Sequence, residues 1–182
     1  MVSKLKGKEW YQIVAPSFFG DFVIGETMCM DPKQLKGRVI ETSLTDITGD
    51  PNKYYLKFYF KIEDVNGKKA ITRFFGHDCT KDFLARIVRR RSNRIDINNV
   101  VNLKDNKMRI KSIAITNRVV SEEIDTKIRK CISDFTEENV SKMKTEEFIR
   151  EVIDGKLQQK IRKIVSKIYP LKHFEFRKTE VL

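Results

Sequence analysis

The chain has 182 residues, 34% of them charged, and sets 37 Lys and Arg against 25 Asp and Glu for a net charge of +12. A domain of this size buries about 70% of its unfolded surface and needs no disulfide or structural metal; Cys29, Cys79 and Cys131, odd in number and far apart, fit a reducing cytosol. No apolar run approaches the roughly 20 residues of a spanning helix, and no segment has the exposed Trp/Phe/Leu face of an interfacial one, so a membrane partner is disfavoured and an anionic polymer favoured.

Met1 to Trp10 is lysine-rich and runs into no apolar signal core, so residues 1–9 read as an untargeted basic arm carrying Lys4, Lys6 and Lys8. Strands are expected at Tyr11 to Ala15 and Arg38 to Leu44. Between them, Gly20 to Thr27 has the spacing of a phosphate-binding loop, but Glu26 stands where the lysine must be and would repel phosphate; the stretch reads as a glycine-punctuated turn. Leu56, Phe58, Phe60 and Ile62 alternate with Lys57, Tyr59 and Lys61, Asn66-Gly67 follows, and a return strand runs through Ile71, Arg73 and Phe75, which together predict a β-hairpin. Ile95 to Leu103 and Met108 to Thr116 form a second strand pair around a turn at Asp105-Asn106.

After Ser121 the period becomes helical. Ile124, Ile128, Ile132 and Phe135 recur at helical spacing; Thr145 opens a second helix with Phe148, Ile149, Val152 and Ile153 inside and Gly155 as its stop. A third carries Leu157, Ile161, Ile164, Val165 and Ile168 and must end before Pro170, while Leu171 to Val181 alternates again and can return to the sheet. The expected fold is α+β: a closed or partly closed antiparallel β-barrel over residues 10–120 with one inserted short helix, then a helical part with a final strand over residues 121–182.

The charge is concentrated. Residues 61–120 hold fifteen Lys and Arg against six acids, and five of the nine residues from Arg86 to Arg94 are arginine. With Thr80 as cap and Asp82 in the first turn, Phe83, Leu84, Ile87 and Val88 fall on one side of a helix and Arg86, Arg89 and Arg90 on the other. By the same count the helix ends near Arg90, and Arg91 to Arg94 leave it as a basic loop. A charge run is usually a solvated face. Five guanidinium groups pointing in two directions within a basic third of the chain instead suit a folded polyphosphate, with Lys81, Arg73, Lys68, Lys69 and the N-terminal lysines assisting. Tyr54, Tyr55 and Tyr59 serve equally as a stacking platform or as core, and do not separate RNA from DNA.

His77-Asp78-Cys79 gathers a base, an acid and a thiol, but sequence neighbours rarely meet in catalytic or metal geometry, and His173 is the only other histidine. His77 and Asp78 are expected to hydrogen-bond the loop before the Thr80 helix, with Cys79 packed. Asp46, Asp50, Asp78, Asp82 and Asp96 show no spacing that selects a nuclease metal pair. No catalytic group, metal site or cofactor is assigned.

The stretch Leu35 to Ile47 with Thr48-Gly49-Asp50 resembles the hallmark of the S-three-ae family of archaeal and eukaryotic small-subunit ribosomal proteins. Further matching segments are Trp10-Tyr11, Ala15-Pro16, Phe19-Gly20, Tyr59 to Ile62, Gly76-His77, Gly155 to Leu157, Ile168 to Leu171 and Lys178 to Leu182. The resemblance implies a non-catalytic cytoplasmic protein on the platform of the small subunit near the mRNA exit. It implies a β-barrel with appended helices, held on ribosomal RNA beside neighbouring ribosomal proteins and the emerging mRNA. Ending without the long tail of eukaryotic members, the chain resembles the archaeal type; it departs from the family at Cys79, where a bulky aliphatic residue is expected, and in the polar stretch 131–144. The alternatives are a free-standing RNA-binding module or RNA chaperone, and a metal-dependent nuclease.

Overall fold

The computed structural model describes residues 7–182, so Lys4 and Lys6 lie outside the described residues. The chain divides into two compact units at Gly76/His77.

In the first unit, β1 (Glu9–Val14), β2 (Val23–Cys29), β3 (Val39–Ser43), β4 (Leu56–Asn66) and the body of β5 (Lys69–Cys79) form a curled sheet in the order β2-β1-β5-β4-β3. The β4 alternation works as written: Leu56, Phe58, Phe60 and Ile62 are buried, and Lys57, Tyr59 and Lys61 only partly so. Gly67 turns the hairpin with φ of +60°, a conformation that a side chain would strain. Edge-on contacts of Phe19 with Phe58 and Phe60, at 5.6 and 5.5 Å, fill one part of the interior. Tyr11, Ile13, Cys29, Leu35, Ile62 and Ala70 fill another.

Three features depart from the expectation. Gly20 does turn the chain, with φ of +103°, but Val23 to Cys29 is a strand, paired antiparallel with β1. Leu44 is not the end of a strand: Ser43 Oγ accepts the Thr45 N–H, and Leu44–Thr48 forms a short helix, α1, closed by Gly49. Nor are the strands a closed antiparallel barrel. Gln12–Val14 runs parallel to Lys69–Ile71, and β2 and β3, the two edges, do not pair. Both edges carry exposed carboxylates, Glu26 on one and Glu41 on the other, and joining them would set like charges side by side.

The second unit contains His77 to Cys79 at the end of β5, then α2 (Lys81–Ile87), β6 (Arg94–Asn102), β7 (Lys107–Thr116), α3 (Glu122–Val140), α4 (Thr145–Asp154), α5 (Lys156–Val165) and β8 (Leu171–Val181). β6, β7 and β8 are antiparallel in that order, so the last segment does return to the sheet. Each long helix buries one stripe: Ile128, Ile132 and Val140; Phe148, Ile149 and Val152; Leu157, Ile161 and Val165. Glu147 reaches back to the Lys144 N–H at 3.1 Å to start α4, and Gly155 ends it with φ of +74°. Helix α5 stops at Val165, leaving Ile168 outside it and exposed.

Candidate nucleic-acid interface

Helix α2 packs Phe83, Leu84, Ile87 and Val88 against Ile113 and Ile115 of β7, as its apolar spacing requires. It is shorter than expected. Val88 leaves with φ of −82° and ψ of 119°, so of the arginines only Arg86 is helical. Arg89 and Arg90 belong instead to a hydrogen-bonded turn. The Arg89 N–H donates to Ser92 Oγ at 3.3 Å, and that hydroxyl donates to the Arg89 carbonyl at 2.6 Å. Arg91 occupies the turn's third position with φ of +65°, where glycine or asparagine is ordinary. A turn pinned at both ends thus presents Arg89, Arg90 and Arg91, all exposed, beyond the helix that anchors it.

Arg94 is placed differently. It is the first residue of β6, not part of the loop, and its guanidinium grips Asp96 with Nε–Oδ2 of 2.9 Å and Nη2–Oδ1 of 3.0 Å. Such a two-pronged pair satisfies much of the fork that a phosphate would use. Lys81, Arg94 and Arg177 with the carboxylate of Asp78 surround an open groove of about 600 Å³ floored by Cys79, Leu84 and Val88.

Register brings in cations that spacing could not show. Arg94 pairs with Ile115, and Ile115 with His173, so the first residue of the strand that follows the arginine turn and the start of β8 lie in one row of the sheet. His173 is held below the usual imidazole range by partial burial and then by the positive fields of Arg162, Lys172 and Arg89. The Arg162 guanidinium donates to the Lys172 carbonyl at 3.2 Å. Arg162, Lys172 and Arg177 were not among the expected residues; their only sequence signal was the basic character of residues 160–178, and they stand 73, 83 and 88 residues from Arg89.

The remaining expected residues belong to the first unit. Lys8 precedes β1, and Lys68 and Lys69 follow the Gly67 turn, where the Lys68 carbonyl accepts the Gln12 N–H at 2.8 Å; all three are exposed. Arg73 lies on an exposed face of β5, 3.8 Å from Glu63. Tyr54 is exposed and meets Tyr55 edge-on at 6.1 Å, whereas Tyr55 and Tyr59 are half-buried.

His77 and Asp78 lie in β5, ahead of the loop before α2. The His77 ring is enclosed, with Nε2 donating to the Phe176 carbonyl at 2.9 Å and Nδ1 accepting from the Thr179 hydroxyl at 2.7 Å. Burial lowers its pKa to about 4, so it is neutral near pH 7. Cys79 packs against the same carbonyl at 3.5 Å, and burial pushes its thiol far up. Among the described residues no three His, Cys, Asp or Glu side chains gather closely enough to hold a metal ion.

Comparison with known proteins accounts for the whole length. Small ribosomal subunit protein eS1 of Staphylothermus marinus is 39% identical over 180 residues, covering 98% of this chain and 85% of that protein. The protein of the same name from Sulfurisphaera tokodaii is 38% identical, covering 98% and 93%. That of Desulfurococcus amylolyticus is 37% identical, covering 98% and 84%. Residues 1–182 match the model of the Ribosomal S3Ae family. The chain belongs to the Ribosomal S3Ae family.

Proposed function

We propose that this protein is a structural constituent of the small ribosomal subunit in the cytoplasm, that it supports translation, and that it is not an enzyme. The carrying observation is the family match along all 182 residues, with relatives named for the small ribosomal subunit. Its partners are ribosomal RNA and neighbouring small-subunit proteins.

The finer reading is that residues 10–120, more than the helical part 121–182, hold ribosomal RNA, with the turn Arg89 to Arg91 and Arg86 at its centre. Support comes from a formed, exposed turn of guanidinium groups in the most basic third of the chain. Phosphate contacts position a protein without reading bases, so specificity comes from RNA shape. Location on the platform near emerging mRNA follows from the resemblance of the Leu35 to Asp50 segment and its companions. Five engaged arginines give a log-affinity against log-salt slope of roughly −3.5 to −4.5. With Arg94 occupied by Asp96, the three arginines of the turn, Arg89, Arg90 and Arg91, give about −2 to −2.7.

Gradient fractionation after a high-salt wash tests the assignment. Co-migration with the small subunit is expected; recovery only in the free fractions would replace it with a free-standing RNA-binding module or chaperone.

A further inference from the structure

The unclosed side of the first unit carries an excess of acid in a basic chain. The Gln12 N–H donates to the carbonyl of Lys68, the residue just before β5, so main-chain groups of Gln12 point to β5 and those of Tyr11 and Ile13 to β2. Tyr11 pairs with Thr27 and Ile13 with Gly25; Glu26, between them, therefore aims its N–H and C=O away from β1. On the other edge the Ile62 N–H donates to the Arg38 carbonyl, which makes Ile40 and Thr42 the residues bonded to β4 and turns the main chain of Glu41 outward. Both edges open on one cleft of about 570 Å³, whose lining includes Glu26, Glu41, Asp46, Tyr54 and Lys57. Lys57 is bonded to Glu41, so the three carboxylates exceed the cations of the cleft by two in a chain of net charge +12.

We propose that this cleft receives an extended, Arg/Lys-rich segment of a partner polypeptide, which inserts as a strand between β2 and β3 and completes the ring that this chain leaves open. Outward-facing N–H and C=O groups on both edges supply the pairing that strand addition uses. Glu26 and Asp46, both exposed and both lining the cleft, supply charge-assisted acceptors. RNA is disfavoured because the carboxylates repel phosphate. A second copy is disfavoured because pairing like edges would oppose glutamate to glutamate. The inference does not rest on the RNA-binding reading and uses none of its residues.

The test uses the full chain and a fluorescein-labelled hexapeptide of alternating arginine and threonine or valine. A glutamate-for-arginine version and a version N-methylated on alternate amides serve as controls. Anisotropy is expected to show saturable binding of the first peptide only, with slowed amide exchange at Glu26 and Glu41. Glu26→Lys with Asp46→Lys is expected to weaken it by at least about tenfold, the scale of lost charge-assisted bonds, while the RNA salt slope stays unchanged. If that variant melts early, Glu26→Gln with Asp46→Asn decides, with a smaller loss in the same direction. Equal binding of the N-methylated peptide would overturn the proposal, as would protection of these amides by RNA, or a concentration-dependent dimer abolished by the same substitutions.

Discussion

Acidification should destabilise this protein through one histidine before most carboxylates titrate. His77 is enclosed with both ring nitrogens engaged and a pKa of about 4, against about 6.5 in the unfolded chain. Because the folded value is the lower one, the unfolded chain binds the extra proton first. The stabilisation is therefore complete above about pH 6.5 and lost as pH falls toward about 4. At 1.36 kcal/mol per pH unit the full loss is about 3 kcal/mol, of which about 2 kcal/mol is gone by pH 5. The assay is urea unfolding between pH 7.5 and 4, comparing the natural chain with His77→Gln, whose amide can still donate to the Phe176 carbonyl but does not titrate. Carboxylate effects are common to both, so the difference between them should shrink by that amount. Parallel stability curves, or an NMR titration of the His77 ring near pH 6.5, would refute the reasoning.

Other consequences are equally direct. Replacing Arg89 and Arg90 together with alanine should flatten the salt slope of RNA binding by about one to two units, whereas Arg94→Ala, already occupied by Asp96, should change it by a few tenths at most. An unchanged slope in the double variant would remove the turn from the interface. Arg91→Gly should hold or raise the melting temperature, because the φ of +65° suits glycine; Arg91→Val should lower stability by about 1 to 2 kcal/mol in denaturant unfolding. In the native chain a thiol reagent should modify partly exposed Cys131 first and leave buried Cys29 and Cys79 until unfolding; rapid modification of Cys79 would contradict its packing against the Phe176 carbonyl. Phe148→Ala, at a fully buried site against Phe176, should cost about 3 to 5 kcal/mol by the same denaturant measurement.

What the residues announced were the features governed by near neighbours. Alternation from Leu56 to Ile62 before Asn66-Gly67 produced the β4–β5 hairpin, and the helical spacings after Ser121 produced α3 to α5. The apolar side of Phe83, Leu84 and Ile87 also packed as expected. These signals survive because a two- or 3.6-residue period is a property of the local chain. Tertiary structure decided the rest. β2 was hidden because Gly25 interrupts its alternation, and it is a strand because β1 supplies its ladder. Helix α2 ended at Ile87 because Val88 leaves in extended conformation and the Ser92 hydroxyl closes the following turn on Arg89, an exchange that helical counting from Thr80 cannot foresee. Lys172 came beside Arg89 through the register of β6, β7 and β8, and Arg162 of α5 joined through its bond to the Lys172 carbonyl, although they stand 83 and 73 residues from Arg89 in the chain. The unclosed edge has the same origin: whether two strands meet depends on which carboxylates each presents after the sheet has curled, and one-dimensional spacing holds no record of that.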